Sequence, residues 1–228
     1  MKKRKFDHKL DQTDEIKKIQ EKVRGHIRLA QYKTAFKYLT KMQKKYPQSY
    51  FIASLLATLN AEDAWVLPEK QKDKAFDIAA KKLKVLLKYS RGATVGLRKR
   101  NYNEYYWFAQ FHKKQYDFGK KRVLNGEIHG LYSQGVGAAN YAYKLMREGK
   151  KTLGLKWAQK SVEAWDEYFK KVSKDYHDPY YWYALALGLQ DKDFSKALNH
   201  SAKLAKKNVK TNPAYKKIRL MILEVRKK

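Results

Sequence analysis

Basic and aromatic side chains alternate in one stretch of the chain, and this combination suits nucleic-acid binding. Arg98, Lys99 and Arg100 are followed by Tyr102, with further aromatic residues just downstream. Cationic side chains neutralise phosphates, and aromatic faces stack on unpaired bases. A second basic run adds to the patch. The sequence therefore predicts a candidate site for single-stranded RNA or DNA that consists of Arg98, Lys99, Arg100, Tyr102, Lys120, Lys121 and Arg122.

Patterns typical of catalysis or of metal binding are weak. The six histidines include no pair at i, i+4 and no HExxH motif, so we predict no metal site. Glu127 with His129, and His177 with Asp178, could pair as acid and base. No nucleophile or oxyanion donor accompanies either pair, however. The glycine-rich segment 135–140 lacks the third glycine of a phosphate-binding loop. We expect a protein that is not an enzyme and that binds no cofactor.

Composition and charge narrow the class of protein. The 228 residues carry 52 Lys and Arg against 22 Asp and Glu, a formal net charge of +30. The surface must therefore be strongly positive, and acidic partners are favoured. With 43% hydrophobic and 14% aromatic residues, the chain can bury a sizeable core and is not disordered as a whole. The absence of Cys excludes disulfides and thiolate chemistry.

The sequence shows no pattern for export or for membrane insertion. No apolar run follows the basic N-terminus, so it does not resemble a signal peptide. No apolar run is long enough to span a bilayer. If Met1 is the true start, a cytoplasmic protein is the default expectation. Peripheral contact with anionic membrane headgroups is not expected either, because no helix shows a strong apolar stripe beyond its core-facing one.

The elements that must position these residues are helices. Apolar residues recur at three- and four-residue steps along most of the chain, and no segment alternates as a strand does. Thr13, followed by two acidic residues, predicts a helix start, and residues 1–12 are predicted to form a flexible basic N-terminus. We predict helix pairs at about 14–47, 49–89, 101–126, 136–172 and 179–208, and a capping helix at 213–227.

Glycine and proline predict the joins between these helices. Segment 61–73, which contains Pro68, is expected to be a long connection, and the glycine-rich segment 124–137 a loose one. Segment 90–100, with two glycines and four basic residues, is expected to be a loop or an irregular helix entry. Gly119 is small enough for two helices to cross closely beside it.

Two local boundaries are also predicted from residue types. In the stretch 105–126, the break between two short helices is expected at 114–117. Farther along, Asp178 is expected to cap a helix whose first residue is Pro179, since proline there lacks only a hydrogen that would be unpaired anyway.

The helix pairs resemble tetratricopeptide repeats. Members of that family carry the pattern W-x2-L-G-x2-Y, then A-x3-F, then P over about 34 residues. Similar spacings begin at Tyr32, Tyr105, Ala138 and Trp182, and the resemblance covers most of residues 14–205. It implies an all-α fold, a right-handed superhelix or solenoid of about five degenerate helix pairs plus the capping helix, forming one domain over residues 13–228.

The resemblance implies that the function is protein binding. In that family the first helices of successive pairs line a concave groove that holds an extended peptide. Asn140 matches an asparagine position that holds a ligand's backbone or carboxylate, and neighbouring cations fit an acidic ligand. The implied function is a non-enzymatic adaptor or scaffold, whose basic, aromatic groove binds an acidic or C-terminal peptide segment of a partner. The groove residues would be Tyr106, Trp107, Gln110, Lys113, Lys114, Asn140, Tyr143, Arg147, Tyr183 and Leu187. Nucleic-acid binding stays open as the alternative.

Overall fold

The computed structural model describes residues 6–29, 31–62, 64–172, 177–206 and 212–226. These residues form eleven α-helices and three short 3-10 helices and contain no strand, so the predicted all-α class is confirmed. The predictions for residues 1–5, Ala30, Asp63, residues 207–208 and Lys227 lie outside the described residues. The chain divides into two compact units, residues 1–109 and residues 110–228, and each is described by itself.

Unit 1 is a series of helices in which each packs against the next. The third helix also contacts the fifth. Its helices in the described residues are α1 (Asp14–Arg28), α2 (Tyr32–Lys45), α3 (Tyr50–Glu62), α4 (Glu69–Leu87) and α5 (Val95–Phe108).

Hydroxyl side chains cap the N-termini of three of these helices. Thr13 Oγ1 accepts a hydrogen bond from the Ile16 amide at 3.5 Å, which confirms the helix start predicted there. In the same way, Ser49 Oγ accepts a hydrogen bond from a backbone amide at the start of α3, and Thr94 Oγ1 accepts one at the start of α5. Such contacts satisfy backbone N–H groups that have no partner inside the helix. The core of the first helices then forms from buried side chains of α1, α2 and α3, among them Ile16, Ile19, Val23, Ala35, Leu39 and Ile52.

Residues 6–12 are docked, although the sequence predicted that they belong to a flexible segment. Phe6 packs edge-on against the ring of Tyr50 with centroids 5.3 Å apart. The buried carboxylate of Asp11 accepts hydrogen bonds from Ser49 Oγ at 2.6 Å and from the Phe51 amide at 3.2 Å. Desolvation by burial raises the pKa of Asp11, and these hydrogen bonds partly offset the rise. Residues 6–12 therefore lie against the start of α3.

Unit 2 is organised around its second helix. The helices in its described residues are α6 (His112–Leu124), α7 (Gly130–Arg147), α8 (Lys151–Lys171), α9 (Asp178–Gly188), α10 (Ser195–Leu204) and α11 (Pro213–Arg226). Helix α7 packs most extensively against α8 and α6 and also contacts α9 and α11, while α9 contacts α8, α10 and α11. The boundary between the units falls in the turn inside the helix pair predicted at 101–126. A single solenoid domain over residues 13–228 stays a prediction.

The glycine-rich connection predicted at 124–137 is wrong in its second half, because α7 begins within it. A Cβ atom on Gly135 would lie 2.3 Å from the ring of Trp165. On Gly137 it would lie 2.7 Å from the carbonyl oxygen of His112. These glycines let neighbouring elements approach the backbone of α7, and they do not interrupt the helix.

The close crossing predicted at Gly119 is confirmed. A Cβ atom there would lie 2.5 Å from the carbonyl oxygen of Gly130, and a Cβ atom on Gly130 would lie 2.5 Å from that of Gly119. The two backbones of α6 and α7 therefore meet where neither has a side chain.

Three further boundaries differ from the sequence prediction. The turn after α5 lies at 109–111, where Gln110 has φ +56°, and the break expected at 114–117 is inside α6. Helix α4 begins at Glu69, within the connection predicted at 61–73, because Pro68 precedes the helix and does not break it. Helix α5 begins at Val95, within the predicted linker 90–100.

Candidate binding surfaces

One face of α5 carries a cation and a group of tyrosines. Arg98, Tyr102 and Tyr106 follow one another at four-residue steps, which places them on the same side of the helix. The ring centroids of Tyr102 and Tyr106 are 6.4 Å apart, and those of Tyr105 and Tyr106 are 5.8 Å apart. Tyr102 is exposed and the others are half-buried. The structure thus brings together Tyr102, predicted for nucleic acid, and Tyr106, predicted for a peptide groove.

Arg100 points from α5 toward α3, unlike the surface contact that the sequence predicted. Its Nη2 donates to Thr58 Oγ1 at 3.4 Å. The neighbouring Asn101 is fully buried and donates to the hydroxyl oxygens of Tyr50 and Ser54 at 3.1 and 2.9 Å. Arg100 therefore belongs to a polar seam between α3 and α5. Lys99 is half-buried.

Trp107 lies in the core of unit 1, so the expectation that it faces a ligand is wrong. Its ring packs against Phe76 of α4 at 5.3 Å and against Phe108 at 4.8 Å. Only 8% of its surface is exposed. Helix α4 covers this side of α5, and the apolar spacing of α5 alone did not show that it has two buried sides. Gln110 is exposed, but it lies in the turn between α5 and α6 and not on a helix face.

The predicted groove lysines lie in the first turn of α6. Lys113 forms an exposed ion pair with Asp117 at 3.2 Å. The ammonium group of Lys114 lies 4.8 Å from the ring centroid of Phe111, a distance at which a cation is attracted to an aromatic face.

The second basic run predicted for nucleic acid lies farther along α6. Lys120 and Lys121 are exposed. Arg122 is not, since its Nε pairs with a carboxylate oxygen of Glu127 at 3.0 Å and its side chain is only 16% exposed. Glu127, proposed above as a possible acid or base, is therefore an ion-pair partner that joins the end of α6 to the loop after it.

Tyr143 and Arg147, one turn apart on α7, converge on a single carboxylate. Arg147 Nε lies 2.9 Å from one carboxylate oxygen of Glu224 on α11. The hydroxyl of Tyr143 donates a short hydrogen bond to the other oxygen. The guanidinium also lies 5.6 Å from the Tyr143 ring centroid. The two side chains thus hold one carboxylate between them, that of Glu224 in the same chain.

The other predicted groove residues of unit 2 are engaged within the unit. Asn140 is half-buried, and its side-chain amide donates to the carbonyl of Val136 in its own helix at 2.9 Å. The Tyr183 hydroxyl donates to Asp166 at 2.8 Å. Burial, then this hydrogen bond and the charge of Asp166, raise the pKa of Tyr183 to about 12. Leu187 is half-buried on the same helix.

Asp178 is a tertiary contact and not the helix cap that the sequence predicted. It is the first residue of α9, and the N-cap residue is His177, whose side chain makes no capping hydrogen bond. Its carboxylate accepts a short hydrogen bond from Tyr132 and another from Trp182. Desolvation by burial raises the pKa of Asp178 to about 6, although both hydrogen bonds lower it. The ring of the preceding His177 packs on Tyr181 at 5.8 Å.

The sequence reasoning missed an exposed apolar stripe on α4. Ile78 and Val85 are 45% and 53% exposed, and they are seven residues apart, hence on one side of the helix. The core of α4 lies on the opposite side. A seven-residue apolar spacing is the signal that could have found this stripe, but the core-facing residues already accounted for the helical pattern. Those core residues are Phe76, Ala79, Ala80 and Leu83.

The residues that the structure describes hold no group of three or more His, Asp or Glu placed to bind a metal ion. Over the same residues, none of the helices is both long and apolar enough to cross a membrane. Comparison of the chain with protein-family models, with curated proteins and with solved structures found no match in any of the three.

Proposed function

We propose that the protein is a non-enzymatic scaffold that binds an acidic segment of a partner protein. The observation that carries this proposal is the carboxylate contact on α7. Tyr143 and Arg147 were both predicted as ligand contacts, and both donate to the carboxylate of Glu224. Charge-assisted hydrogen bonds of this kind are stronger than neutral ones. A donor pair that holds an internal carboxylate has the chemistry to hold one from a partner.

The proposed architecture is a right-handed superhelix of tetratricopeptide-like pairs, acting in the cytoplasm. Consecutive helices pack together throughout unit 1 and from α6 to α10 in unit 2. The contacts that skip one helix join α3 to α5, α7 to α9 and α9 to α11. These are the first helices of the predicted pairs and the capping helix. Stacking of repeats through neighbour contacts is how solenoids are built, so these contacts support the proposal. The contact of α7 with α11 joins helices two predicted repeats apart and is not part of that pattern.

The test is competition between Glu224 and an added carboxylate ligand. A fluorescent peptide rich in Asp and Glu serves as the probe, and its binding is measured by anisotropy. Arg147→Gln should weaken binding, whereas Glu224→Gln should tighten it by up to about fivefold, because an exposed ion pair contributes up to about 1 kcal/mol.

Asp191→Asn provides a matched control. It removes the same negative charge and an ion pair of the same length, since Asp191 lies 2.9 Å from Arg226 Nε. If Asp191→Asn and Glu224→Gln tighten peptide binding equally, the effect is one of general charge, and the proposed binding at Tyr143 and Arg147 is contradicted.

The face of α5 favours nucleic acid as a second candidate function. Arg98 lies in line with Tyr102 and Tyr106, and a stacked aromatic contributes about 1–3 kcal/mol per base. Tyr102→Ala should therefore weaken binding of a single-stranded oligonucleotide at least fivefold, and binding should fall steeply with salt. Tyr38→Ala is the control, since Tyr38 also lies beside a cation, Lys22 at 4.6 Å, but on α2. Absence of oligonucleotide binding at low salt would refute this candidate.

A further inference from the structure

Helix α4 presents two apolar faces. The inner face is buried in unit 1 through residues such as Phe76 and Leu83. The outer face of α4, defined by Ile78, Val85 and the lysines beside them, is exposed. Scattered apolar residues on a surface are ordinary. Ile78 and Val85 are about half-exposed and lie on one side of a 19-residue helix, where they form the apolar stripe of this face.

Cations flank the stripe on both sides. Lys74 and Lys82 each lie four residues from Ile78, hence about 40° to either side of it around the helix. Both are exposed, and neither forms an ion pair with a residue that the structure describes. Lys81 is also exposed and pairs with Asp77 at 2.6 Å. Long lysine side chains can lie along an apolar surface and keep their ammonium groups in a polar layer above it.

An aromatic residue continues the stripe past the end of the helix. Tyr89 follows four residues after Val85 and is 40% exposed. Its ring packs against Phe6 with centroids 5.9 Å apart, and its carbonyl accepts a hydrogen bond from His8. The docked N-terminal segment thus fixes this ring at the end of α4. Tyrosine is enriched where apolar and polar layers of a membrane meet.

We propose that the outer face of α4 docks onto the surface of an anionic lipid bilayer. Ile78 and Val85 enter the boundary between headgroups and acyl chains, and the flanking lysines bind the negatively charged headgroups. The helix lies flat on the membrane and does not enter its hydrocarbon core. This inference is independent of the proposed protein-binding site on α7, and it reverses the expectation from the sequence that such contact does not occur.

Charge and spacing favour a bilayer over two other occupants. A partner helix would need apolar residues at three- and four-residue steps to form a packed seam, but Lys81 and Lys82 occupy the positions between Ile78 and Val85. A second copy of the chain would bring a further net charge of +30 to a positive face. An anionic bilayer tolerates lysines at these positions and is attracted by the charge of the whole protein.

The test places a reporter on the stripe of the full chain. The sequence has no cysteine, so Ile78→Cys accepts a single environment-sensitive fluorophore. Vesicles with about a quarter phosphatidylserine, at about 150 mM salt, should shift its emission to the blue. Vesicles of phosphatidylcholine alone should not. Leu153→Cys is the matched control, since Leu153 is 44% exposed on α8 and should show no shift.

Co-sedimentation separates a docked face from general electrostatic attraction. The double variant Ile78→Ser/Val85→Ser should lower the bound fraction on anionic vesicles at least fivefold. Lys74→Glu/Lys82→Glu should lower it more than Lys33→Glu/Lys37→Glu, which makes the same charge change at exposed positions of α2. Equal losses from the two charge reversals, no loss from the serine variant, or equal shifts of both fluorophores would each overturn the proposal. Circular dichroism confirms that each variant is folded.

Discussion

At the scale of single residues, Asp178 couples the stability of unit 2 to pH. Its carboxylate lies among aromatic rings of α7 and α9 and accepts hydrogen bonds from Tyr132 and Trp182. Burial raises its pKa from 3.8 to about 6. The folded state therefore binds this proton more tightly than the unfolded state. The contribution of Asp178 to the free energy of unfolding therefore falls as the pH rises from about 4 to 6, and this loss of stability persists at higher pH.

Replacing this carboxylate should stabilise the protein at neutral pH only. Asp178→Asn keeps the shape and can still accept from Trp182, but it removes the cost of desolvating the charged carboxylate. A shift of about two pKa units corresponds to as much as about 3 kcal/mol. We expect a higher melting temperature than wild type at pH 7.5 and little difference at pH 4, measured by circular dichroism.

A control with the opposite sign is available on α1. A hydrogen bond from Lys17 and the charge of Lys17 lower the pKa of the exposed Asp14. Asp14→Asn should therefore lower the melting temperature slightly at pH 7.5, and not raise it. A gain from Asp178→Asn that is the same at pH 4 and pH 7.5 would contradict the account of its charge.

At the scale of elements, the glycines of α7 fix how closely its neighbours pack. A Cβ atom on Gly135 would lie 2.3 Å from the fully buried ring of Trp165. Gly135→Ala should therefore lower the free energy of unfolding by about 1–3 kcal/mol, because the core must shift to accept the methyl group. Gly25→Ala provides the comparison.

Gly25 is also helical, but no atom of the described residues lies within 4 Å of its Cβ position. Gly25→Ala should raise the free energy of unfolding by about 0.5–1 kcal/mol, since alanine is the better helix former. Urea denaturation measures both variants. If the two substitutions have the same sign, packing at Gly135 is not what distinguishes these glycines.

The sequence predicts the helices well because their signals are local. The apolar spacing of Ile16, Ile19 and Val23 and the cap at Thr13 lie within one element, and the structure agrees with both. The role of Gly135 was misread because glycine marks loops and close crossings alike. Only Trp165, a residue 30 positions away, distinguishes the two.

The candidate sites follow the same rule. Tyr143 and Arg147 share one helix, so their proximity is visible in the sequence. Their common partner Glu224 is 81 positions from Tyr143 and 77 from Arg147, so the sequence does not show that it lies beside them. Trp107 was misplaced for a related reason, since the ring that covers it belongs to another helix, α4.

At the scale of the whole molecule, the net charge of +30 makes the stability of the folded state depend on salt concentration. Most of the ion pairs join partly exposed side chains and contribute little to stability. Repulsion among the many remaining cations opposes the compact state. Salt shortens the range of this repulsion to about 10 Å at 0.1 M and less above that.

Added salt should therefore stabilise the protein. Raising sodium chloride from about 20 to 300 mM should raise the melting temperature by several degrees, as measured by scanning calorimetry at pH 7.5. Glycine betaine at equal osmolality is the control, because it carries no net charge and does not screen. A melting temperature that falls with salt would show that the ion pairs outweigh the repulsion.

The division into two compact units leads to a second prediction at this scale. Each unit has its own buried residues and its own helix contacts. A fragment of residues 110–228 should therefore be helical by circular dichroism and should unfold cooperatively. A fragment that begins at Gly130 lacks α6 and the Gly119 contact, and it should unfold at a lower temperature. A disordered 110–228 fragment would show that unit 2 depends on the rest of the chain.

The backbone contact between α6 and α7 also bears on ancestry. A Cβ atom would meet a neighbour at 2.7 Å or less at each of Gly119, Gly130, Gly135 and Gly137. Substitution of these glycines therefore destabilises the fold, whatever the protein binds. Substitution of a surface lysine has no such cost in stability. A distant descendant of the same ancestor would keep this spacing of four glycines after most other positions had diverged. The spacing is therefore a search pattern that could detect lineages which overall identity no longer reveals.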